Sequence, residues 1–292
     1  MQHVPVTNNL LKVVDFRSAT IDTRFFDQVH PFSSVEISSS ESVKRMTLPE
    51  NSTIASLTLE RTRLVWAHFE ENFYLQQLHI IDSPLKAPSP SLRNLKHLKG
   101  LTLRKTGIAS INLSCINLHD FALFTKLLDF DVAFNKIDSI TGRLINVALS
   151  RLGLAGNRLK SIDFCHWNEL RNVSEISLAL NSLGRIPNCL YKFPRVVMVY
   201  LQANQITHVN MDELVMLKSL QVLNLASNRI YATTVHAESF PPKLVQLFLY
   251  DNCICKMVVP DEQLMPYTNL TIYLHKMYGN VLNIMDIHCK TC

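Results

Sequence analysis

Between Leu127 and Ile254 the chain states one pattern six times. It reads apolar-x-x-apolar-x-apolar-x-x-Asn-x-apolar, centred on Asn135, Asn157, Asn181, Asn204, Asn228 and Asn252. Leu149, Leu152, Leu154, Asn157 and Leu159 form one copy, and Leu220, Leu223, Leu225, Asn228 and Ile230 another. Successive asparagines stand 22, 24, 23, 24 and 24 residues apart. The two-residue step from Leu152 to Leu154 predicts a short strand that sends both side chains into a core and leaves Arg151, Gly153 and Ala155 facing outward. The asparagine falls where the chain leaves the strand. A buried carboxamide there can satisfy backbone groups of its own coil and of the next one. One such coil cannot bury its leucines alone, so the repetition itself implies stacked coils with a continuous core.

Upstream, the apolar frame persists without the asparagine. Leu98, Leu101, Leu103, Thr106 and Ile108 fit it, as do Leu75 to Leu85 around Ser83 and Ile54 to Leu64 around Thr62. Phe32, Val35, Ile37 and Ser40 fit next, then Leu11, Val14, Phe16, Ala19 and Ile21, for about eleven coils in all. Serine and threonine can replace part of the hydrogen bonding, but Ala19 cannot. The longest repeat runs from Thr106 to Asn135, and Leu118, Phe121, Ala122 and Leu123 in its insert are spaced for a short helix. Past Ile254 the pattern stops. Asp261 to Thr268 can start a helix after Pro260, and Leu270, Ile272 and Leu274 alternate like a closing strand.

A period of 21 to 29 residues with this consensus is that of the leucine-rich repeat. The predicted fold is therefore an α/β leucine-rich-repeat solenoid, a horseshoe with a concave parallel β-sheet. Its expected division is a solenoid over 1–252, degenerate over 1–106 and regular over 107–252, with a cysteine-bearing C-terminal cap over 253–292.

Composition changes little in this picture. A chain of 292 residues, 47% hydrophobic and 18% charged, has enough apolar content for a core, and no run of 18 apolar residues suggests a membrane span. The charge of +5 is spread without a basic face, so nucleic acid is not expected as a partner. Met1 to Leu11 lacks the basic start and apolar centre of a signal peptide, so a secreted form implies one removed before this numbering.

Four of the seven cysteines, Cys253, Cys255, Cys289 and Cys292, lie in the terminal segment. Two disulfides of open connectivity suit them better than zinc, since Cys-x-Cys is a poor ligand spacing. Cys165 and Cys189 take equivalent places in adjacent coils, which suits either a bridge or two buried thiols. Cys115 has no obvious mate. Sequons at Asn51, Asn112, Asn172 and Asn269 are glycosylation candidates, the first three expected outside the strands. Disulfides and sequons together predict a secreted glycoprotein.

The repeats, with Asn252-Cys253-Ile254-Cys255 through Cys289, resemble the extracellular leucine-rich-repeat family. The absence of a cysteine before Cys115 and the irregular early repeats make the chain look more like the secreted leucine-rich-repeat immune proteins of mosquitoes and related insects. That resemblance implies protein binding in innate immunity or complement-like regulation, with a complement-like or second leucine-rich-repeat protein as partner and a disulfide-linked or non-covalent dimer as one form. It departs from the insect pattern in ending at Cys289-Lys-Thr-Cys292 without heptads. An intracellular scaffold or regulatory subunit with reduced cysteines is the alternative.

The repeat frame also assigns outward residues. Asp15 and Arg17 begin the series, followed by mixed charges through Arg104, then small residues from Asp131 to Ala179. Met198, Tyr200, Phe248 and Tyr250 end it and form the expected contact patch, extended by Phe134 and Leu180. The Glu60, Arg61, Arg104 and Lys105 group reads as solvated charge. No phosphate loop, His-Glu-x-x-His or Gly-x-Ser-x-Gly is present, and His208, His236 and His275 fall in expected loops or cap without ligand spacing. Neither an enzyme, a metal site nor a cofactor is expected.

Overall fold

The computed structural model describes residues 9–112, 126–142, 144–145, 147–234, 240–254, 257–258 and 270–274. The chain divides into two compact units, Met1–Asn146 and Val147–Cys292. Each is a parallel β-solenoid with little helix.

In the first unit the strands are β1 (Leu10–Val14), β2 (Thr20–Ile21), β3 (Ser34–Ser40), β4 (Arg45–Leu48), β5 (Ser56–Thr62) and β6 (Trp66–Phe69). They continue with β7 (Gln77–Ile81), β8 (Gly100–Arg104), β9 (Ser110–Asn112), β10 (Asp129–Asp131) and β11 (Ser139–Thr141). The main sheet runs β1-β3-β5-β7-β8-β10, while β2-β4-β6 and β9-β11 line the return side of the coils. Val35 and Ile37, Leu57 and Leu59, Leu78 and Ile80, Leu101 and Leu103 are all buried beneath the sheet, as the two-residue step requires. One helix, α1 (Thr23–Val29), is capped by the Asp22 carboxylate and buries Phe25, Phe26 and Val29.

In the second unit the strands are β12 (Arg151–Gly153), β13 (Glu175–Ser177), β14 (Met198–Tyr200), β15 (His208–Asn210) and β16 (Val222–Asn224). They end with β17 (Ala232–Thr234), β18 (Gln246–Phe248), β19 (Met257–Val258) and β20 (Thr271–Tyr273). Its main sheet runs β12-β13-β14-β16-β18-β20, with β15-β17-β19 on the return side. Phe164, Trp167 and Phe193 pack edge to face behind it, with centroids 4.9 to 6.3 Å apart. Among the described residues no helix is long and apolar enough to cross a membrane.

Each coil leaves its strand through one residue of positive φ, set just before the ladder position. These are Ser39, Arg61, Asp82, Lys105 and Phe134 in the first unit, and Gly156, Leu180, Ala203, Ser227 and Asp251 in the second. A left-handed non-glycine residue costs about 1–2 kcal/mol, so the turn has to be held from outside. The ladder holds it. Asn181 donates to the carbonyls of Leu154, Leu178 and Ala179, while its Oδ1 accepts the Leu159 N–H at 3.0 Å. Asn204, Asn228 and Asn252 repeat the arrangement. The carboxamide therefore reaches the preceding coil, the reverse of the direction expected. In the first unit Asn135 does the same, and upstream of it hydroxyls serve instead: Thr62 Oγ1 and Ser83 Oγ are 2.8 Å apart, and Ser40 Oγ donates to the Ser38 carbonyl at 2.9 Å.

The first coil differs from its expected register. Leu11 and Val13 stand opposite Val35 and Ile37, and positive φ falls at Asp15. Phe16, not Ala19, therefore occupies the ladder position, and its N–H donates to Ser40 Oγ at 2.8 Å. The outward residues of β1 are Lys12 and Val14 rather than Asp15 and Arg17. Ladder residues from Ser40 to Asn252 then mark about ten turns, slightly fewer than the eleven expected.

The expected helix within Cys115–Lys126 and the one starting near Asp261 lie outside the described residues. The expected closing strand is β20, which pairs with β18 at the sheet's edge.

Candidate functional site

The outward face of the second unit's sheet is ordered by its register. One row runs Arg151, Glu175, Met198, Val222, Gln246 and Thr271, and the next runs Gly153, Ser177, Tyr200, Asn224, Phe248 and Tyr273. Tyr200 and Phe248 thus stand on the same row, separated by the strand that carries Asn224. At about 4.8 Å per strand their anchors are about 9.6 Å apart.

The expected patch is therefore two clusters. In one, the Tyr200 hydroxyl donates to Met198 Sδ at 3.3 Å, which holds the phenol along its own strand. In the other, Phe248 stacks on Tyr273 with centroids 4.4 Å apart and planes within 9°, and meets Tyr250 edge to face at 6.4 Å. All five side chains are half-buried. Asn224 between them is held low, because its Oδ1 accepts the Ala226 N–H at 3.1 Å. Burial, then the nearby Glu175 carboxylate, pushes the Tyr200 phenol above its usual pKa.

Leu180 is the left-handed residue after β13 and is 50% exposed, at the margin of this face. Phe134 takes the same structural position in the first unit, where Arg104 lies 5.2 Å from its ring centroid. An open cavity of about 420 Å³ adjoins it, lined by Asp82, Lys105, Phe134 and Lys136 among others. The first unit's sheet face is polar and in part paired: Lys12 meets Glu36 at 3.1 Å, Arg61 meets Glu60 at 3.6 Å, and Arg104 meets Asp131 at 3.6 Å. His79 hydrogen-bonds Thr102 at 2.9 Å, and burial lowers its pKa below 6.5 against the raising effect of Asp129 and Asp131.

Cys165 and Cys189 form a disulfide with Cα atoms 5.0 Å apart. Asp163 lies beside it, but the two sulfurs are already bonded to each other. Cys253 is disulfide-bonded as well, while Cys115, Cys255, Cys289 and Cys292 lie outside the described residues. Asn51 is exposed in a turn, and exposed Asn172 donates to the Val147 carbonyl at 2.7 Å. Asn112, expected outside the strands, is instead the last residue of β9, a return-side strand too short to show alternation in the sequence. Asn269 lies outside the described residues.

His208, expected in a loop, instead opens β15, where it hydrogen-bonds both Thr207 Oγ1 and the Tyr231 hydroxyl. His236 and His275 lie outside the described residues. Two residues escaped the sequence reading. Tyr273 follows from the alternation of Leu270, Ile272 and Leu274, which turns its neighbours outward. Asn72 is buried and donates to the carbonyls of Pro49, Glu50 and Ser52 while accepting from Tyr74 and Leu75 N–H, yet no periodic signal marks it.

No family model matches the chain. It is 35% identical over 105 residues to the human leucine-rich repeats and immunoglobulin-like domains protein 1, covering 35% of this chain and 9% of that protein. It is 28% identical over 184 residues to the Arabidopsis thaliana protein phosphatase 1 regulatory inhibitor subunit PPP1R7 homolog, covering 61% of this chain and 53% of that one. The chain thus spans about half the length of one of these relatives and a tenth of the other. Among solved structures it is similar to a chain of the octameric complex of Latrophilin 3, Unc5D and FLRT2, with a TM-score of 0.69 at 19% identity, covering 98% of this chain and 91% of that one. That likeness is one of fold. The relatives and structural neighbours are leucine-rich-repeat proteins.

Proposed function

We propose that this leucine-rich-repeat chain is a secreted, non-enzymatic protein-binding module whose contact surface is the outward face of the second unit's sheet. The observation that supports the surface is two groups of half-buried aromatics, Tyr200 on β14 and, across β16, Phe248 on β18 with Tyr250 just after it and Tyr273 on β20. Rings presented on a sheet offer a large contact area with few rotors to freeze. The Cys165–Cys189 disulfide and the bonded Cys253 support an oxidising compartment. A role in innate-immune recognition or complement-like regulation, with a complement-like or second leucine-rich-repeat partner, is the form of this function that the insect resemblance favours.

A second reading is favoured by the similarity to the plant phosphatase regulatory subunit homolog: an intracellular scaffold or regulatory subunit with reduced thiols. Counting free thiols in the denatured, unreduced protein separates the two. One or three of the seven cysteines titrating supports secretion; seven titrating sinks it. The surface is tested by capturing partners from extracellular fluid on wild type and on Tyr200→Ala with Phe248→Ala. A partner retained equally by both would move the contact off this face.

A further inference from the structure

We propose that the slot over Asn224, between Tyr200 and the Phe248–Tyr273 stack, receives a basic side chain of a partner protein, an arginine or lysine, with Glu175 as its counter-charge. The inference rests on the face itself being the contact surface.

The dimensions of the slot come from the register. Asn224 lies on β16, one strand from β14 and one from β18. A group seated over it is about 4.8 Å sideways from each of the two strands that carry the aromatic walls. A cation is attracted to a ring face within about 6 Å of its centroid, so one guest can engage both walls at once. The floor leaves room for it. Asn224 is tied down to the Ala226 N–H, and Ala226 beyond it is small and buried. A bulky residue at either place would fill the slot; these do not.

Charge selects the kind of guest. Among the described outward positions of this sheet, Arg151 is the one basic residue, and it stands on β12, two strands from Tyr200. Glu175 lies between them, in register with Arg151 on one side and Met198 on the other, and its field is felt at the Tyr200 phenol. On the other side Asp251 follows Tyr250, exposed, and accepts from Ser227 Oγ at 3.2 Å. Two aromatic walls with the Glu175 carboxylate outside one of them suit a cation on an aliphatic stem. The stem packs on the rings while the head stays on the side of Glu175. A neutral apolar side chain would gain the rings but leave the Glu175 carboxylate facing a desolvated contact.

The test selects random displayed peptides on the full-length chain and titrates individual binders against wild type, Tyr200→Ala, Phe248→Ala and Glu175→Gln, each first shown to be folded by circular dichroism. Binders that need Tyr200 and Phe248 are expected to carry an arginine or lysine. Replacing that residue with glutamine should weaken binding about tenfold. Glu175→Gln, close to isosteric, should weaken the basic peptides by a similar factor. Exchange of arginine for lysine in the peptide shows which head the walls prefer. Binders that need both aromatics yet carry no basic residue, or are indifferent to Glu175→Gln, overturn the cation slot and leave the face standing. Binders indifferent to Tyr200→Ala and Phe248→Ala overturn the face and the slot together.

Discussion

The side-chain oxygen of Asn204 accepts the Leu183 backbone N–H at 2.9 Å, one coil back, while its amide donates to the carbonyls of Leu178 and Leu201 at 3.0 Å. One side chain thus closes three backbone groups over two coils, beside a left-handed turn at Ala203. Asn204→Ala strands those groups without room for free solvation. It should lower unfolding free energy by about 1–3 kcal/mol in urea titrations. A loss under about 0.5 kcal/mol would mean that water takes over the carboxamide's role.

The asparagine coils were legible because each carries its full set of letters, so strand, core face and ladder followed together. The first coil misled for a physical reason. Leu11, Val14 and Phe16 keep the right intervals, but so do Leu11 and Val13 if the turn falls at Asp15, and apolar letters alone cannot choose. The turn residues themselves carried no signal, since positive φ is adopted by serine, arginine, aspartate, lysine, phenylalanine and leucine alike. At the face, the frame identified which side chains point outward but not that Tyr200 and Phe248 are held apart by Asn224, which depends on strand order. Tyr273 was hidden because it belongs to a segment without the repeat's consensus.

His79 gives the first unit a pH dependence. Its folded pKa lies below 6.5, so the unfolded chain binds the proton more readily. The stabilisation from the neutral ring is fully present above pH 6.5 and is lost as pH falls through the depressed folded value. Unfolding free energies measured between pH 7.5 and pH 5 should therefore fall more steeply for wild type than for His79→Gln. Parallel curves for the two proteins would remove His79 from the account.

The Cys165–Cys189 bridge closes a loop across a sequence separation of 24 residues. Such a loop restricts the unfolded chain by about 3 kcal/mol. Replacing both cysteines with serine should cost roughly that much in the unfolding free energy of the oxidised protein. Dithiothreitol should bring wild type down to the level of the variant at this bridge, plus whatever the bond at Cys253 contributes. If the double variant matches oxidised wild type, the bridge adds no stability.

Tyr273 stands on the edge strand β20, and its ring lies parallel to Phe248 on β18. Stacked rings contribute about 0.5–1.5 kcal/mol beyond the area they bury. Without Tyr273, Phe248 keeps its edge-to-face contact with Tyr250 but loses the neighbour that fixes its plane. Tyr273→Ala should therefore weaken peptides that bind over Asn224 even though Tyr200, Asn224 and Glu175 are untouched, while Tyr273→Phe should bind as wild type does. A double-mutant cycle with Phe248→Ala isolates the pair, and a coupling near 1 kcal/mol is expected in stability. Strict additivity would mean that the two rings are neighbours without holding one another, and that Phe248 owes its orientation to Tyr250.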